Sequence, residues 1–319
     1  MIKLLSTTNA YKVIRGDKAQ NSLSHAYLVD TEDKDSLRDF LKCLAKLILC
    51  DSEDFCDSCR VCRLIDRETH PDVTIYPNVG EKLKAQHADE ITANCLIKPL
   101  ELQKRVFIIS GFEGLEKSQN KLLKTLEEPP KNVILLLGTS NLSGILPTVK
   151  SRTKKIDIPS FSNEKLLEYF KDKLLDEEKL TSSVLTANGI LSLVLKNYES
   201  GDFQDIKEKV VKALTCLNTS RDAITAFDII NGLDAKKTIS TIKLVFGELL
   251  KHKSGQISRL IDKNTIETLD ERFKTGAVIE IIEGLSEIER SLHFNANQTM
   301  VFDKALFLIL EAKHRWLKL

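Results

Sequence analysis

The chain has 319 residues, of which 42% are hydrophobic and 29% charged, enough for two or three domains with buried cores. Its 47 basic and 46 acidic residues leave a formal net charge of +1. That balance argues against a protein that coats nucleic acid by bulk electrostatics, because neutralising many phosphates needs a basic surplus. Glycine (13) and proline (7) are scarce, so helix should dominate. Met1-Ile2-Lys3-Leu4-Leu5 lacks the apolar stretch of a secretory signal. Val301 to Leu310 is interrupted by Asp303 and Lys304 and reads as a buried helix, not a membrane span. A cytoplasmic location is expected, where thiols stay reduced.

In chain order, the first half mixes strand and helix patterns. Ala26-Tyr27-Leu28-Val29 is a short run of strand formers. From Leu37 to Leu49, residues Leu37, Phe40, Leu41, Leu44, Leu47 and Ile48 recur at helical spacing. Val73-Thr74-Ile75-Tyr76 reads as a strand. Val106 to Ile109 and Val133 to Leu137 are continuous apolar runs, as expected of strands covered on both faces. Between them Ser118 to Glu127 sets Leu122, Leu123 and Leu126 at helical spacing, and Pro129-Pro130 stops that helix. Strand, helix, strand with short links predicts a parallel sheet with helical crossovers. After Pro159 the strand signals fade. Asn163 is the expected cap of a helix from Glu164 past Phe170, and Ile190 to Tyr198 is amphipathic. From Asp205 to Leu319 the pattern is nearly all helix. It breaks near Asn218-Thr219-Ser220, Asn231-Gly232, Ser254-Gly255, Lys274 to Gly276 and His293 to Asn297.

Four of the seven cysteines cluster as Cys50-x5-Cys56-x2-Cys59-x2-Cys62. Zinc takes four soft ligands in a tetrahedron, and a Cys-x2-Cys turn supplies two of them. Asp51 to Asp54 and Asp57-Ser58 are turn formers that let the chain fold back. The alternative is a set of free thiols or a redox pair in a loop. Structural zinc on Cys50, Cys56, Cys59 and Cys62 is the expectation; four thiolates leave no open position for a catalytic water. Cys43, Cys95 and Cys216 fall on apolar helix faces and read as small core residues.

The segment Ser118-Gln119-Asn120-Lys121-Leu122-Leu123-Lys124-Thr125-Leu126-Glu127-Glu128-Pro129-Pro130 closely resembles the Asn-Ala-Leu-Leu-Lys-Thr-Leu-Glu-Glu-Pro-Pro stretch of bacterial clamp loader subunits. Leu146-Pro147-Thr148-Val149-Lys150-Ser151-Arg152 is similar to that family's Leu-Pro-Thr-Ile-x-Ser-Arg-Cys element. The Ser24-His25-Ala26-Tyr27-Leu28 opening, the cysteine module and His70-Pro71-Asp72 match in the same order, over about residues 20 to 160. A weaker echo lies near Asn295 to Leu310. The resemblance implies an α/β AAA+ fold, a RecA-like parallel sheet with flanking helices and a zinc module at 50–62, over residues 1–159. A small helical lid over 160–219 and an all-α collar used for oligomerisation over 220–319 would follow.

AAA+ proteins bind ATP on Gly-x4-Gly-Lys-Ser/Thr, where glycines let backbone N–H groups cradle phosphate and the lysine supplies charge. At that place this chain reads Asp30-Thr31-Glu32-Asp33-Lys34-Asp35-Ser36, with no glycine, and no Gly-Lys dipeptide occurs anywhere. The acidic pair that should follow Ile109 reads Ser110-Gly111-Phe112-Glu113. Neither ATP binding at its own site nor hydrolysis is expected. Within the family this points to the non-hydrolysing stator. The motor subunits gamma and tau keep both elements, whereas delta usually lacks the Ser-Arg-Cys element and the zinc module.

The resemblance also implies that Arg152 projects into the ATP site of a neighbouring subunit and acts in trans. A guanidinium stays charged and presents a planar fork, which suits the charge on a transferring phosphoryl group. The alternative is an exposed basic residue beside Lys150, Lys154 and Lys155. Thr153 stands where the family has cysteine. Thr139 matches a phosphate-sensing position but reads here as a strand-end hydroxyl capping the backbone, and His70 as a turn residue beside Pro71. The implied partners are gamma or tau and delta subunits, with the sliding clamp and primer-template DNA reached through the complex; no membrane is involved. Two other functions stay open: a gamma/tau-like ATPase motor and a stand-alone zinc-knuckle DNA-binding protein.

Overall fold

The computed structural model describes residues 1–114, 116–256, 260–292 and 297–317. Its predicted apolar runs form the inside of one sheet. Strands β1 (Ala26–Asp30), β2 (Val73–Tyr76), β3 (Arg105–Ser110), β4 (Val133–Thr139) and β5 (Lys154–Asp157) run parallel in the order β2-β3-β4-β1-β5. Register is tight at the centre, with Phe107 opposite Leu135 and Ala26 opposite the same residue on the other side. β3 and β4 are buried almost end to end because helices cover both faces.

The helices of this part of the chain are α1 (Ile2–Leu5), α2 (Asn9–Ala19), α3 (Leu37–Leu49), α4 (Arg60–Asp66), α5 (Ala85–Cys95), α6 (Glu116–Glu127), α7 (Pro147–Lys150) and α8 (Asn163–Phe170). On one face, Phe107, Ile109, Leu135 and Leu137 pack with Ile91 of α5, Leu122 and Leu126 of α6 and Val149 of α7. α3 lies against β3 and β4. It sits so close that a Cβ on Gly138 would stand 2.7 Å from a Leu41 methyl. Glycine there is a packing requirement of the sheet.

One local expectation changes, and β5, α2 and α4 form where none was drawn from the sequence. β5 reads Lys-Lys-Ile-Asp with exposed lysines, and pairing with β1 alone makes it a strand; an edge strand buries too little to show in an apolar pattern. Asn163 is the first helical residue of α8, not its cap. Ser162 caps α8, accepting from Lys165 N–H at 3.5 Å, and the helix stops at Phe170. α2 and α4 lacked a long apolar stripe.

Asp72 holds the crossing into β3. It is fully buried, and its carboxylate accepts from the N–H groups of Leu100 (2.6 Å), Glu101 (2.8 Å) and Leu102 (2.8 Å). Burial pushes the carboxyl up, but the three donors outweigh it and hold it below its ordinary value of 3.8. A depressed folded pKa gives stability that is present above the ordinary value and lost as pH falls through the folded one. Asp72→Asn should cost about 2–3 kcal/mol near neutrality. That gap should narrow as urea melts are repeated from pH 5 downward.

The chain divides into two compact units, Met1–Lys173 with Gly189–Ser192, and Leu174–Asn188 with Leu193–Leu319. The second holds α9 (Glu177–Thr186), most of α10 (Leu191–Ser200), then α11 (Phe203–Cys216), α12 (Asp222–Ile230), α13 (Ala235–Lys253), α14 (Lys263–Arg272), α15 (Thr275–Leu292) and α16 (Gln298–Leu317). The gaps from α11 to α14 fall at the breaks read from sequence; the next gap includes Lys274, with Thr275 and Gly276 already helical, and the expected break at His293 to Asn297 lies, but for Asn297, outside the described residues. Val210, Ile239, Phe246, Leu269, Ile281 and Phe302 form its core. Gly284 lets Leu308 close on α15, and a Cβ there would lie 2.6 Å from it. Arg272 closes the C-terminus of α11 by donating to Thr215 O (2.7 Å) and Leu217 O (2.9 Å). Buried Glu289 gathers Ser240, Asn188 and Lys243 at 2.6, 2.8 and 3.0 Å. Asn295, in the weaker motif echo, lies outside the described residues.

Candidate functional site

In parallel α/β sheets ligands bind where strands end at their carboxyl edge. Here that edge is acidic. Burial pushes the Asp30 carboxyl up, Lys155 pulls it down, and the charges of Asp157, Glu32 and Glu113 push it up again. A phosphate would meet the same negative field. The loop from Thr31 to Ser36 is short, and its backbone is already committed. Thr31 N–H donates to Thr139 O at 3.1 Å, and Asp33 Oδ1 accepts from Ser36 N–H at 3.0 Å. Gly111 takes φ +71° after β3, Phe112 is buried, and Glu113 Oε1 accepts from Ser140 Oγ at 2.8 Å. Glu113 therefore joins the loops after β3 and β4. Thr139, fully buried, accepts from Asn141 N–H at 3.0 Å, as a backbone-capping hydroxyl should.

Arg152 follows α7, two residues past its end. The side chain, 34% exposed, pairs with Glu127 at 2.7 Å. Its Nη1 donates to Thr148 O (2.9 Å) and Ser151 Oγ (3.2 Å). Thr153 Oγ1 donates to Val149 O at 3.0 Å, which closes the same turn. The two motif segments quoted from the sequence thus meet: the Glu-Glu-Pro-Pro end of α6 touches the Ser-Arg turn. A second link is Gln119, 1% exposed on α6. Its amide donates to Gly144 O (2.8 Å) and accepts from Leu146 N–H (2.8 Å), fixing the entry to α7. Neither Glu127 nor Gln119 stood out as a site residue in the sequence, because contact across some 25 residues leaves no periodic signal. Lys154 pairs with Asp17, while Lys150 and Lys155 are exposed.

The four clustered cysteines converge. Their sulfurs all lie within 4.8 Å of one another, with Cys50–Cys56 at 3.8 Å and Cys50–Cys59 at 3.9 Å. A tetrahedron with Zn–S bonds of about 2.3 Å has S···S edges of about 3.8 Å, so the donor set fits a zinc ion. Disulfides need about 2.05 Å, and all seven cysteines are free thiols. Cys59 N–H points at Cys56 Sγ (3.3 Å) and Cys62 N–H at Cys59 Sγ (3.4 Å), so two backbone donors already favour thiolate. Donors from Ser58 and Cys59 bring Cys56 down to about 6, whereas burial pushes Cys62 up.

The module is pinned to the body. Tyr11 donates to Asp54 at 2.6 Å, Arg15 pairs with Glu53 at 2.5 Å, and Lys18 reaches Cys50 O at 2.5 Å and Ser52 O at 2.7 Å. Lys46, its side chain 5% exposed, bridges Asp57 (2.7 Å) and Asp66 (2.5 Å) beneath the cluster. Sequence alone places Lys46 among the apolar residues of α3 without a partner. His70 serves its turn by accepting from Asp72 N–H at 3.1 Å, and it stands apart from the cysteines. Cys43 and Cys95 are buried, and Cys216 is half-buried against the second core.

The family described as DNA polymerase III, delta subunit, matches residues 6–162. DNA polymerase III subunit delta' of Bacillus subtilis is 22% identical over 316 residues, covering 94% of this chain and 95% of that protein. Subunit tau of the same organism is 23% identical over 95% of this chain, which spans 60% of its length. A gamma subunit-related protein from Thermotoga maritima superposes over 96% of this chain and 99% of its own, with 18% identity and a TM-score of 0.44. No helix among the described residues is long and apolar enough to cross a membrane.

Proposed function

This chain belongs to the DNA polymerase III clamp loader family, and from that premise we propose that it is the delta-prime subunit, a stator that hydrolyses no ATP of its own. The observation that carries the reading is an asymmetry. The loop after β1 is glycine-free, acidic and closed on Asp33, whereas Ser151-Arg152 sits on an ordered, partly exposed turn. The half of an ATP site that a subunit builds for itself is gone. The half lent to a neighbour remains, and Arg152 completes the adjoining motor subunit's site. Cys50, Cys56, Cys59 and Cys62 hold a structural zinc that supplies folding energy and no chemistry. The helices beyond residue 219 form the collar through which the ring assembles with gamma or tau and delta. Within that ring the chain helps place the sliding clamp on primed DNA in the bacterial cytoplasm.

Co-elution tests the assembly. Mixed with motor subunits and delta, the chain should enter one ring that opens and loads the clamp; alone it should retain no ATP on a filter. Retention of ATP by the isolated chain would return it to the motor class. Tight, strongly salt-dependent DNA binding by the isolated chain would favour the stand-alone zinc-knuckle reading instead.

A further inference from the structure

The loop that replaces the phosphate cradle holds a buried carboxylate. Asp33 is 5% exposed, and three donors from two distant segments converge on it. Ser36 N–H, just before α3, reaches Oδ1 at 3.0 Å. Ser192 Oγ reaches Oδ1 at 2.6 Å, and Ser192 N–H reaches Oδ2 at 2.9 Å, from 159 residues further along the chain. An Asp accepting from the N–H three residues on is an ordinary turn cap. A cap does not account for the backbone N–H and hydroxyl of Ser192 aimed at the same group. Burying a carboxylate is expensive unless donors compensate it, and these three do.

The surroundings are shaped for this contact. Gly189 takes φ +81° and presses on Phe161, where a Cβ would stand 2.6 Å from Phe161 O; Phe161 N–H donates to Gly189 O at 2.9 Å. That seats Ser192 over Asp33, and Gly189–Ser192 belongs to the same compact unit as the sheet. The remaining cavity, bordered by Thr31, Asp33, Pro159, Phe161 and Ile190, is only about 10 Å³. It has room for one water at most.

We propose that the vestigial nucleotide site has become an internal anion site whose ligand is the chain's own Asp33. The carboxylate does what a bound phosphate would do for these N–H groups: it satisfies the turn before α3 and ties the start of α10 to it. Because the anion is covalently part of the chain, nothing has to bind or leave. The loop therefore keeps one conformation whatever the nucleotide supply, as a stator requires. This rests on the reading that the chain binds no nucleotide at its own site.

Hydrogen exchange on the full chain tests it, with Asp33→Asn, Ser192→Ala and the double variant. Asp33→Asn keeps the shape and removes the charge. The amides of Ser36 and Ser192 should both exchange about ten-fold faster or more in it. The double variant should be no faster than Asp33→Asn, because the two groups form one contact. In Asp33→Gly, inorganic phosphate titrated at constant ionic strength should restore slow exchange at both amides while leaving the wild type unchanged. Multiplying effects in the double variant, unchanged exchange at Ser192, or an equal response of wild type and Asp33→Gly to phosphate would each overturn the proposal. ADP binding to the wild type would sink the non-binding premise, a failure distinct from any of these.

Discussion

In a reconstituted ring, Arg152→Ala lowers single-turnover ATP hydrolysis at the adjoining motor site by about 10³-fold or more, with the ring still assembled. Arginines acting in trans on a phosphoryl group are worth about 10³ to 10⁵ in rate, or roughly 4–7 kcal/mol at the barrier. Among the described residues Arg152 pairs with Glu127 alone, and both side chains are more than a third exposed. Pairs of that kind contribute about 0–1 kcal/mol. Releasing the guanidinium toward a neighbour's phosphate is therefore cheap against what it gains there. Arg152→Lys should recover little, because an ammonium lacks the planar fork. Gel filtration of the variant ring separates lost catalysis from lost assembly. Full-rate hydrolysis in an intact variant ring would remove the finger and leave Arg152 as a surface residue tied to Glu127.

Metal removal should have the other large effect. Purified without chelator, the chain should carry one zinc, and Cys59→Ser with Cys62→Ser should carry none. Apparent free energies for structural zinc on four cysteine or histidine ligands run about 10–16 kcal/mol near pH 7, more than the whole stability of many domains. The loss should stay regional. The four sulfurs of Cys50, Cys56, Cys59 and Cys62 converge at the centre of the module, so residues 50–66 should exchange faster once the metal is stripped. Tyr11–Asp54, Arg15–Glu53 and Lys18–Cys50 would go with them, loosening α2. The sheet core of Phe107, Leu135 and Leu137 does not touch the module and should stay protected. Metal analysis by mass spectrometry and peptide-level exchange read both halves. A metal-free chain with an ordered 50–66 segment would show that the ion pairs of Lys46 and the contacts to α2 suffice.

Features whose cause is local are legible in the residues alone. Continuous apolar runs gave the three central strands β1, β3 and β4, because a strand covered on both faces can carry little else, and the strand formers Val73 to Tyr76 gave β2 at the edge. The 3.6-residue spacing of leucines gave α3 and α6, and Asn-Gly and Ser-Gly breaks separated the later helices. Cysteine spacing singled out the four residues whose sulfurs converge, since a Cys-x2-Cys turn needs only neighbouring residues. The lack of glycine from Asp30 to Ser36 is likewise a local fact of the sequence. Ser162 and not Asn163 caps α8; the two residue types cap about equally well, so sequence pattern cannot rank them.

Tertiary structure alone decided the pairings between distant residues. β5 is a strand only because β1 lends it hydrogen bonds. Lys46 looked like a flaw in an apolar face until Asp57 and Asp66 came beneath it. Glu127 meets Arg152, and Gln119 meets the turn before α7, across the fold and not along the chain. Asp33 is the sharpest case. In sequence it is one acid among four in a loop that merely lacks glycine. Folding brings Ser192 onto it and turns an absent phosphate site into a filled one, because a buried charge is tolerated only where three-dimensional packing delivers its donors.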